Sequence, residues 1–532
     1  MGPSNQASNA EHTGGAHADT PGTGPTPALY RLCDSVTEVL LYLMVVFSPW
    51  ALGTTQRWSI WTMNGAAYAL AGLLVVKWVV RWRAGFTPAR WGSSPNHPIV
   101  RALAVLTVLI LGWCLVSAAN ARATVNIRGL GLEYHDQYIP WLPHSYDAPS
   151  SWFAFWTYAG VAGAFWAARD WLLGKSRHER HTRRHGAPAA DEGSRAEAEG
   201  PVAADAPHSE GGRLAGARTD SIALPDRLRR LLWVLCLNGA VLALEGILQR
   251  LDGTNKLLWL VQPYWNRDAE SQFGPYAYRG NGAEYLNLIW PVCVGFWWTL
   301  RQRAARAGLR ARAGGSPHVV LLPCAVLTAA GPFVSTSRGG AIITAGLMLV
   351  TLLILTFANR GRWLLQLGTV AAFAAALGFG VYLGWERLEA RLENVLADQM
   401  SGRKEIYANA REMARDYFPL GSGPGTFGSL YRLYRSDPGQ AWQAYLHNDW
   451  LETWITFGGI GFALIALALV LTAARWAFAG GLETGPVLTT FLWVAMGGAL
   501  AHALYDFPFQ IHSILFAFVL LACVSSIASR KP

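Results

Sequence analysis

Residues 101–119 read RALAVLTVLILGWCLVSAA, with one charge at the first position and none after it. At 1.5 Å per residue a helix of this length crosses most of a ~30 Å hydrocarbon core. The pattern recurs. Apolar runs of similar length stand at about 34–53, 60–80, 152–173, 230–249, 284–300, 318–336, 340–358, 363–384, 450–472, 486–505 and 512–529. The expected fold is therefore an all-α polytopic membrane protein of about 12 transmembrane helices.

Composition agrees. Of 532 residues, 52% are hydrophobic and 15% charged, against roughly 25% charged in an ordinary soluble domain. Mean hydropathy is +0.21. Such values exclude a disordered chain, a disulfide scaffold and a typical cytosolic enzyme. The six cysteines, Cys33, Cys114, Cys236, Cys293, Cys324 and Cys523, fall in or beside apolar runs without metal-ligand spacing. They read as small apolar residues, with no metal site and no disulfide framework.

The net charge is +10. Its placement in short loops between apolar runs points to membrane orientation and not to nucleic acid. Lys77, Arg81, Arg83 and Arg90 end or follow the second run. Lys175, Arg177, Arg180, Arg183 and Arg184 follow the fourth, and Arg301, Arg303, Arg306, Arg310 and Arg312 the sixth. All of these loops fall on one side, expected to be cytoplasmic. The loops of the opposite side, about 120–151, 250–283 and 385–449, are longer and rich in Tyr, Trp and Pro, and chemistry is expected there.

Four regions follow. Residues 1–29 read as a disordered cytoplasmic tail, and 30–173 as spans 1–4 with the outer loop 120–151. Residues 174–229, poor in large apolar side chains, read as a disordered cytoplasmic linker. Its His178, His181 and His185 lie among arginines and read as part of a solvated basic run. Residues 230–529 form a core of spans 5–12 with the large outer loop 385–449.

Several motifs lie at the outer ends of spans. V-S-T-S-R-G-G-A places Arg338 between two runs joined by almost no loop. The arginine either snorkels to the interface or faces an aqueous cavity and binds an anion. Its two glycines permit close backbone packing. In S-G-R-K-E-I-Y-A-N-A-R-E-M-A-R-D-Y-F, residues Ile406, Tyr407, Ala410, Met413, Ala414 and Tyr417 fall at helical spacing. Ser401 is a candidate N-cap, which puts Arg403 in the first turn, near free backbone N–H groups suited to a phosphate. The other reading is a surface helix with solvated charges.

P-L-G-S-G-P-G-T-F (419–427) lacks the Lys-Ser/Thr ending of a nucleotide loop and reads as a turn. L-H-N-D-W carries His447, Asn448 and Asp449 before a span. The histidine is either structural at the interface or a general base oriented by a neighbouring carboxylate or amide. F-G-P-Y-A-Y-R-G-N-G brings Arg279 and Asn281, and H-A-L-Y-D-F-P brings Asp506. These, with Asn448 and Asp449, are candidate cap or cavity-lining groups.

The ordered series S-x-S-R-G-G, G-R, G-x-G-P-G-T-F, H-N-D and D-F-P resembles the O-antigen ligase superfamily of membrane glycosyltransferases, which includes ligases and surface-polysaccharide polymerases. The resemblance covers most of the chain from about residue 120. It implies a GT-C-like helical fold in the bacterial inner membrane, with a helical periplasmic subdomain at 385–449. It further implies a site facing the periplasm, no cofactor, no nucleotide sugar and no obligatory metal. The donor would be a glycan on undecaprenyl pyrophosphate, and the acceptor a lipid or glycan, as in lipopolysaccharide biosynthesis. Arg338 and Arg403 then look like the donor-pyrophosphate arginines, and His447 like the catalytic, acceptor-activating histidine. The segment Tyr278-Arg279-Gly280-Asn281 departs from the family's usual pattern, and the linker 174–229 is no family feature.

The chemistry suits these residues. Breaking the bond to a pyrophosphate leaves negative charge, which fixed guanidiniums stabilise in a partly dry site. The outer-loop aromatics Tyr134, Tyr138, Trp141, Trp152, Trp259, Tyr264 and Trp265 either stack on sugars or form an interfacial belt. A polyprenyl tail calls for an apolar groove among membrane lipids. Ligase and polymerase share these motifs. A transporter is the reading from another class, and the absence of an internal two-fold hydropathy repeat speaks against it.

Overall fold

The computed structural model describes residues 26–90, 98–126, 131–176, 179, 224–306, 317–358, 401–435, 444–478 and 486–527, with scattered positions between 367 and 382. Nearly all of it is helical. The helices in chain order are α1 (Ala28–Trp50), α2 (Arg57–Arg83), α3 (Pro98–Ala119), α4 (Ala148–Leu173), α5 (Asp226–Asp252), α6 (Arg279–Arg306), α7 (Leu321–Val334), α8 (Arg338–Ala358), α9 (Ser401–Asp416), α10 (Phe427–Leu430), α11 (Asp449–Phe478), α12 (Pro486–His502) and α13 (His512–Ile527).

Among the described residues, α1, α2, α3, α5, α8 and most of α11 are long and apolar enough to cross a membrane. Shorter apolar helices lie at His318–Val334, Val487–His502 and His512–Ile527. Helices α4 and α6, with 26 and 28 residues, stand where spans 4 and 6 are expected. The expected ninth span, 363–384, and the linker with His178, His181 and His185 fall largely or wholly outside the described residues.

One continuous core joins the helices, from Leu41 and Met44 through Leu231, Leu286, Ile289 and Phe491 to Leu521. Helix α6 sits at its centre. Tyr285, Leu286, Leu288, Ile289, Trp290, Val292 and Cys293 are all buried there. A helix apolar on every face is what a site surrounded by other helices demands. All six cysteines are buried and free, as expected of small apolar residues.

Two features were not expected. Within 120–151 an antiparallel pair, β1 (Ala123–Asn126) and β2 (Gly131–Tyr134), runs in register Ala123↔Tyr134 to Asn126↔Gly131. The second concerns the basic residues that follow span 2. Lys77, 1% exposed, pairs with Asp34 at 2.6 Å and Asp170 at 2.7 Å. Asp170 also takes Arg81 at 2.6 Å and Arg90 at 2.7 Å, while Asp34 takes Arg227. The network ties α1, α2, α4 and α5 at one end of the bundle. Hydropathy counts such charges as loop residues because it cannot see their carboxylates.

The loop elements form a second, smaller core. Ala410, Met413 and Tyr417 of the α9 region pack with Phe427, Leu430, Tyr431, Leu446 and Ile455, and Ile406, Tyr407 and Ala414 lie against them. The helical spacing read from the sequence is the buried face of α9. The glycine-rich turn at 419–427 is a turn, as read. Gly421 (φ +86°) meets Gly458 (φ +68°), where a Cβ at either position would come within 2.5 Å of the other's backbone. The amides of Ser422 and Gly423 donate to Ile455 O and Thr456 O at 2.9 and 3.0 Å. Gly458 is a non-helical residue inside α11, so the turn docks into a break in the helix.

Candidate active site

His447 precedes α11 with φ +58°. Side chains other than glycine are uncommon in this region, although histidine is among those enriched there. The neighbours hold it. Tyr407 Oη on α9 donates to His447 O at 2.9 Å. The amide of Asp449 donates to Ala503 O at 2.9 Å. The conformation aims the ring at Asp506, just beyond α12, and Nδ1 lies 2.9 Å from Oδ1. With Asp506 ionised, Nδ1–H donates and the lone pair is left on Nε2, the tautomer a general base requires. The imidazole is 21% exposed and the carboxylate 9%.

Asp506 has further partners. Tyr278 Oη donates to its Oδ2 at 3.0 Å, and the amide of Phe507 donates to Oδ1 at 3.1 Å. His502 Nε2 stands 3.9 Å from Oδ2, and its Nδ1 contacts Glu284. The Tyr278 ring stacks on Phe507 at 5.4 Å, and His447 meets Phe507 edge-on at 4.7 Å. Tyr445 stacks on the same phenylalanine at 4.6 Å. Burial, with the nearby Glu452 and Asp449, pushes the Tyr445 hydroxyl up to about 12, so it stays protonated at neutral pH.

Arg338 is the first residue of α8 and is half-buried. The two glycines after it do what the sequence suggested. A Cβ on Gly339 would lie 2.8 Å from His502 Nε2, and one on Gly340 would lie 2.4 Å from Ala283 Cβ. Only glycine lets the start of α8 come this close to α6 and α12. Two residues earlier Thr336, 2% exposed, has φ +57°. A β-branched residue there is a strained outlier of about 1–3 kcal/mol. The two motifs thus meet through Gly339, His502, Asp506 and His447.

The remaining candidates separate. Asp449 is buried and accepts from the Phe509 amide at 2.7 Å and from Gln510 Nε2 at 2.9 Å. Asn448 Oδ1 accepts from the Leu451 amide at 3.0 Å, an N-cap for α11. Asn281 is buried in the first turn of α6, and Arg279 Nη1 donates to Glu270 O at 2.6 Å. Arg403 falls in the first turn of α9, and its side chain, with that of Ser401, lies outside the described residues. Of the loop aromatics, Trp141, Tyr264 and Trp265 are strongly exposed, and Arg122 sits over the Tyr134, Tyr138 and Tyr146 rings.

Sequence reading missed Tyr278, Glu284, His502 and Arg250. Tyr278 and His502 stand inside quoted motifs and Glu284 two residues beyond one, unmarked because nothing local pairs them. Arg250, 8% exposed near the end of α5, donates to Ala269 O, Gln272 O and Ser335 O at 2.9, 2.8 and 3.0 Å. It fastens the loop 250–283 to the residues before Arg338.

A polytopic helical bundle with a histidine–carboxylate pair at one end defines a multi-pass membrane protein with a site equipped for proton transfer. Residues 323–466 match the family model described as O-antigen ligase. No curated protein and no solved structure matches the chain.

Proposed function

We propose that the protein transfers a glycan from undecaprenyl pyrophosphate to an acceptor hydroxyl at the periplasmic face of the bacterial inner membrane, as an O-antigen ligase-like enzyme of lipopolysaccharide or surface-polysaccharide synthesis. The observation that carries this is the His447 Nδ1–Asp506 Oδ1 contact of 2.9 Å, which joins two of the family-like motifs across the sequence. In this reading Nε2 removes the acceptor proton as the hydroxyl oxygen bonds to C1. The C1–O bond to the lipid breaks, and undecaprenyl pyrophosphate leaves with the electron pair. Asp506 holds the imidazole in the required tautomer and stabilises the imidazolium. Arg338 and Arg403 bind the pyrophosphate and take up the developing charge. Attack opposite the leaving group inverts the anomeric centre, which NMR of the product anomer tests.

A strain lacking the gene, complemented with wild type, His447→Ala, Arg338→Ala or Arg403→Ala, decides the reading. Lipid-linked polymer without acceptor-bound glycan in the deletion marks a ligase, and single repeat units alone mark a polymerase. Variants that reach the membrane at normal levels and yet restore wild-type glycan would sink the site assignment. The reading places spans 5–12 as the catalytic core, the loop 385–449 outside and the linker 174–229 inside.

A further inference from the structure

An apolar groove of about 320 Å³ runs between α3, α4, α11 and α13, lined among others by Leu103, Phe165, Trp166, Phe462, Leu469 and Ala522. Its two ends differ in charge. One end reaches Asp449, beside the candidate site. The other reaches Trp166, Thr472 and Ala522, and one helical turn further along each of these helices stand Arg169, Arg475 and Ser526. Arg475, 2% exposed, donates from Nε to Ser526 O at 2.6 Å. Arg169 Cζ lies 5.8 Å from the Trp166 ring centre. Arg90, Arg475 and Asp170 are charged neighbours of Arg169.

Arg169 is the unexplained group. It is 8% exposed, and its Nε has no hydrogen-bond partner among the described residues. Asp170, the adjacent carboxylate, is already taken by Lys77, Arg81 and Arg90. A buried guanidinium with an unsatisfied donor costs free energy unless an anion or an acceptor meets it.

We infer that this groove is a structural site for an anionic glycerophospholipid, its phosphate held by Arg169 with Arg475 and its acyl chains lying along the groove toward Asp449. Charge placement chooses the occupant. A polyprenyl pyrophosphate serving the candidate site would carry its anionic head at the Asp449 end, against a carboxylate. A phospholipid from the opposite leaflet carries its phosphate at the arginine end and only hydrocarbon at the other. The inference does not depend on the proposed glycosyl transfer.

The test uses the full chain, extracted from membranes and exchanged into nanodiscs of mixed phosphatidylglycerol and phosphatidylcholine. Retained lipid is then read by native mass spectrometry. Wild type is expected to retain phosphatidylglycerol over phosphatidylcholine. Arg169→Gln should lose about tenfold or more of that preference, the loss of one charge-assisted phosphate contact, and Arg169→Lys should keep part of it. Equal retention of the two lipids, unchanged retention by Arg169→Gln, or a polyprenyl phosphate as the bound species overturns the inference. Should Arg169→Gln fail to fold, Ala162→Trp, which fills the groove, must expel the lipid; retention by that variant overturns it equally.

Discussion

The hydroxyl of Tyr407 donates to the backbone carbonyl of His447 at 2.9 Å, so helix α9 fixes the main chain of the proposed base. Asp506 fixes the ring from the other side. Tyr407→Phe removes the main-chain anchor alone, a hydrogen bond with a net value of about 0.5–1.5 kcal/mol. A fall in glycan transfer of a few-fold is expected, with membrane levels unchanged. Densitometry of surface glycan against protein abundance measures both.

Asp506→Asn keeps the size of the side chain and removes the charge that selects the histidine tautomer. Transfer should fall by about 10²–10⁴, the usual worth of general acid–base catalysis. The assay is turnover by purified protein with lipid-linked donor. His447→Ala should cost no less, and the double variant should be little worse than the poorer single one, because the two residues act as a unit.

Much of this arrangement could be read from the sequence, and the rest could not, for physical reasons. The helices were legible because period and length report burial directly, and the α9 face from Ile406 to Tyr417 was recovered residue by residue. The motifs mark both His447 and Asp506 but not their pairing, since 59 residues separate them and no periodicity encodes a contact of that span. The same holds for Glu284 and His502, 218 residues apart. Hydropathy marks the basic residues near α2 as loop charges because it does not register Asp34 and Asp170, which face them.

Gly340→Ala tests the close approach of α8 to α6. The added methyl would lie 2.4 Å from Ala283 Cβ, and both sides are packed. A loss of about 1–3 kcal/mol is expected from overpacking. It is measured as a lower thermal midpoint in detergent together with reduced transfer. An unchanged midpoint would mean that the helices separate at no cost.

Asp170→Asn leaves Arg81 and Arg90 facing a neutral amide and Lys77 with Asp34 as its remaining carboxylate. Breaking a buried network by removing one partner typically costs about 3–5 kcal/mol. Poor membrane accumulation is expected, with the surviving fraction unfolding earlier. Wild-type stability would mean that water, not the carboxylate, satisfies these cations.

His144, in the loop 120–151, is held below the usual histidine range, chiefly by burial and also by the charge of Arg122, although its contact with Leu142 O opposes this. The unfolded segment therefore takes up its proton first. Local stability is complete above the unfolded value of about 6.5 and declines as the pH falls through it. Protection factors across 131–147, with the intrinsic pH dependence of amide exchange divided out, should fall between pH 7.5 and 5.5 in wild type and much less in His144→Gln.

The scattered origin of the site also sets a timetable for biosynthesis. Tyr278 and Glu284 leave the ribosome first, then Arg338, then His447, and last His502 and Asp506. At about 5–20 residues per second the interval from the first to the last is some tens of seconds. During that time most helices can already lie in the bilayer. Until the turn after α12 arrives, the histidine has no carboxylate to set its tautomer. A half-made chain is thus chemically silent, and a nonsense mutation just before Asp506 should yield an inserted but inert protein.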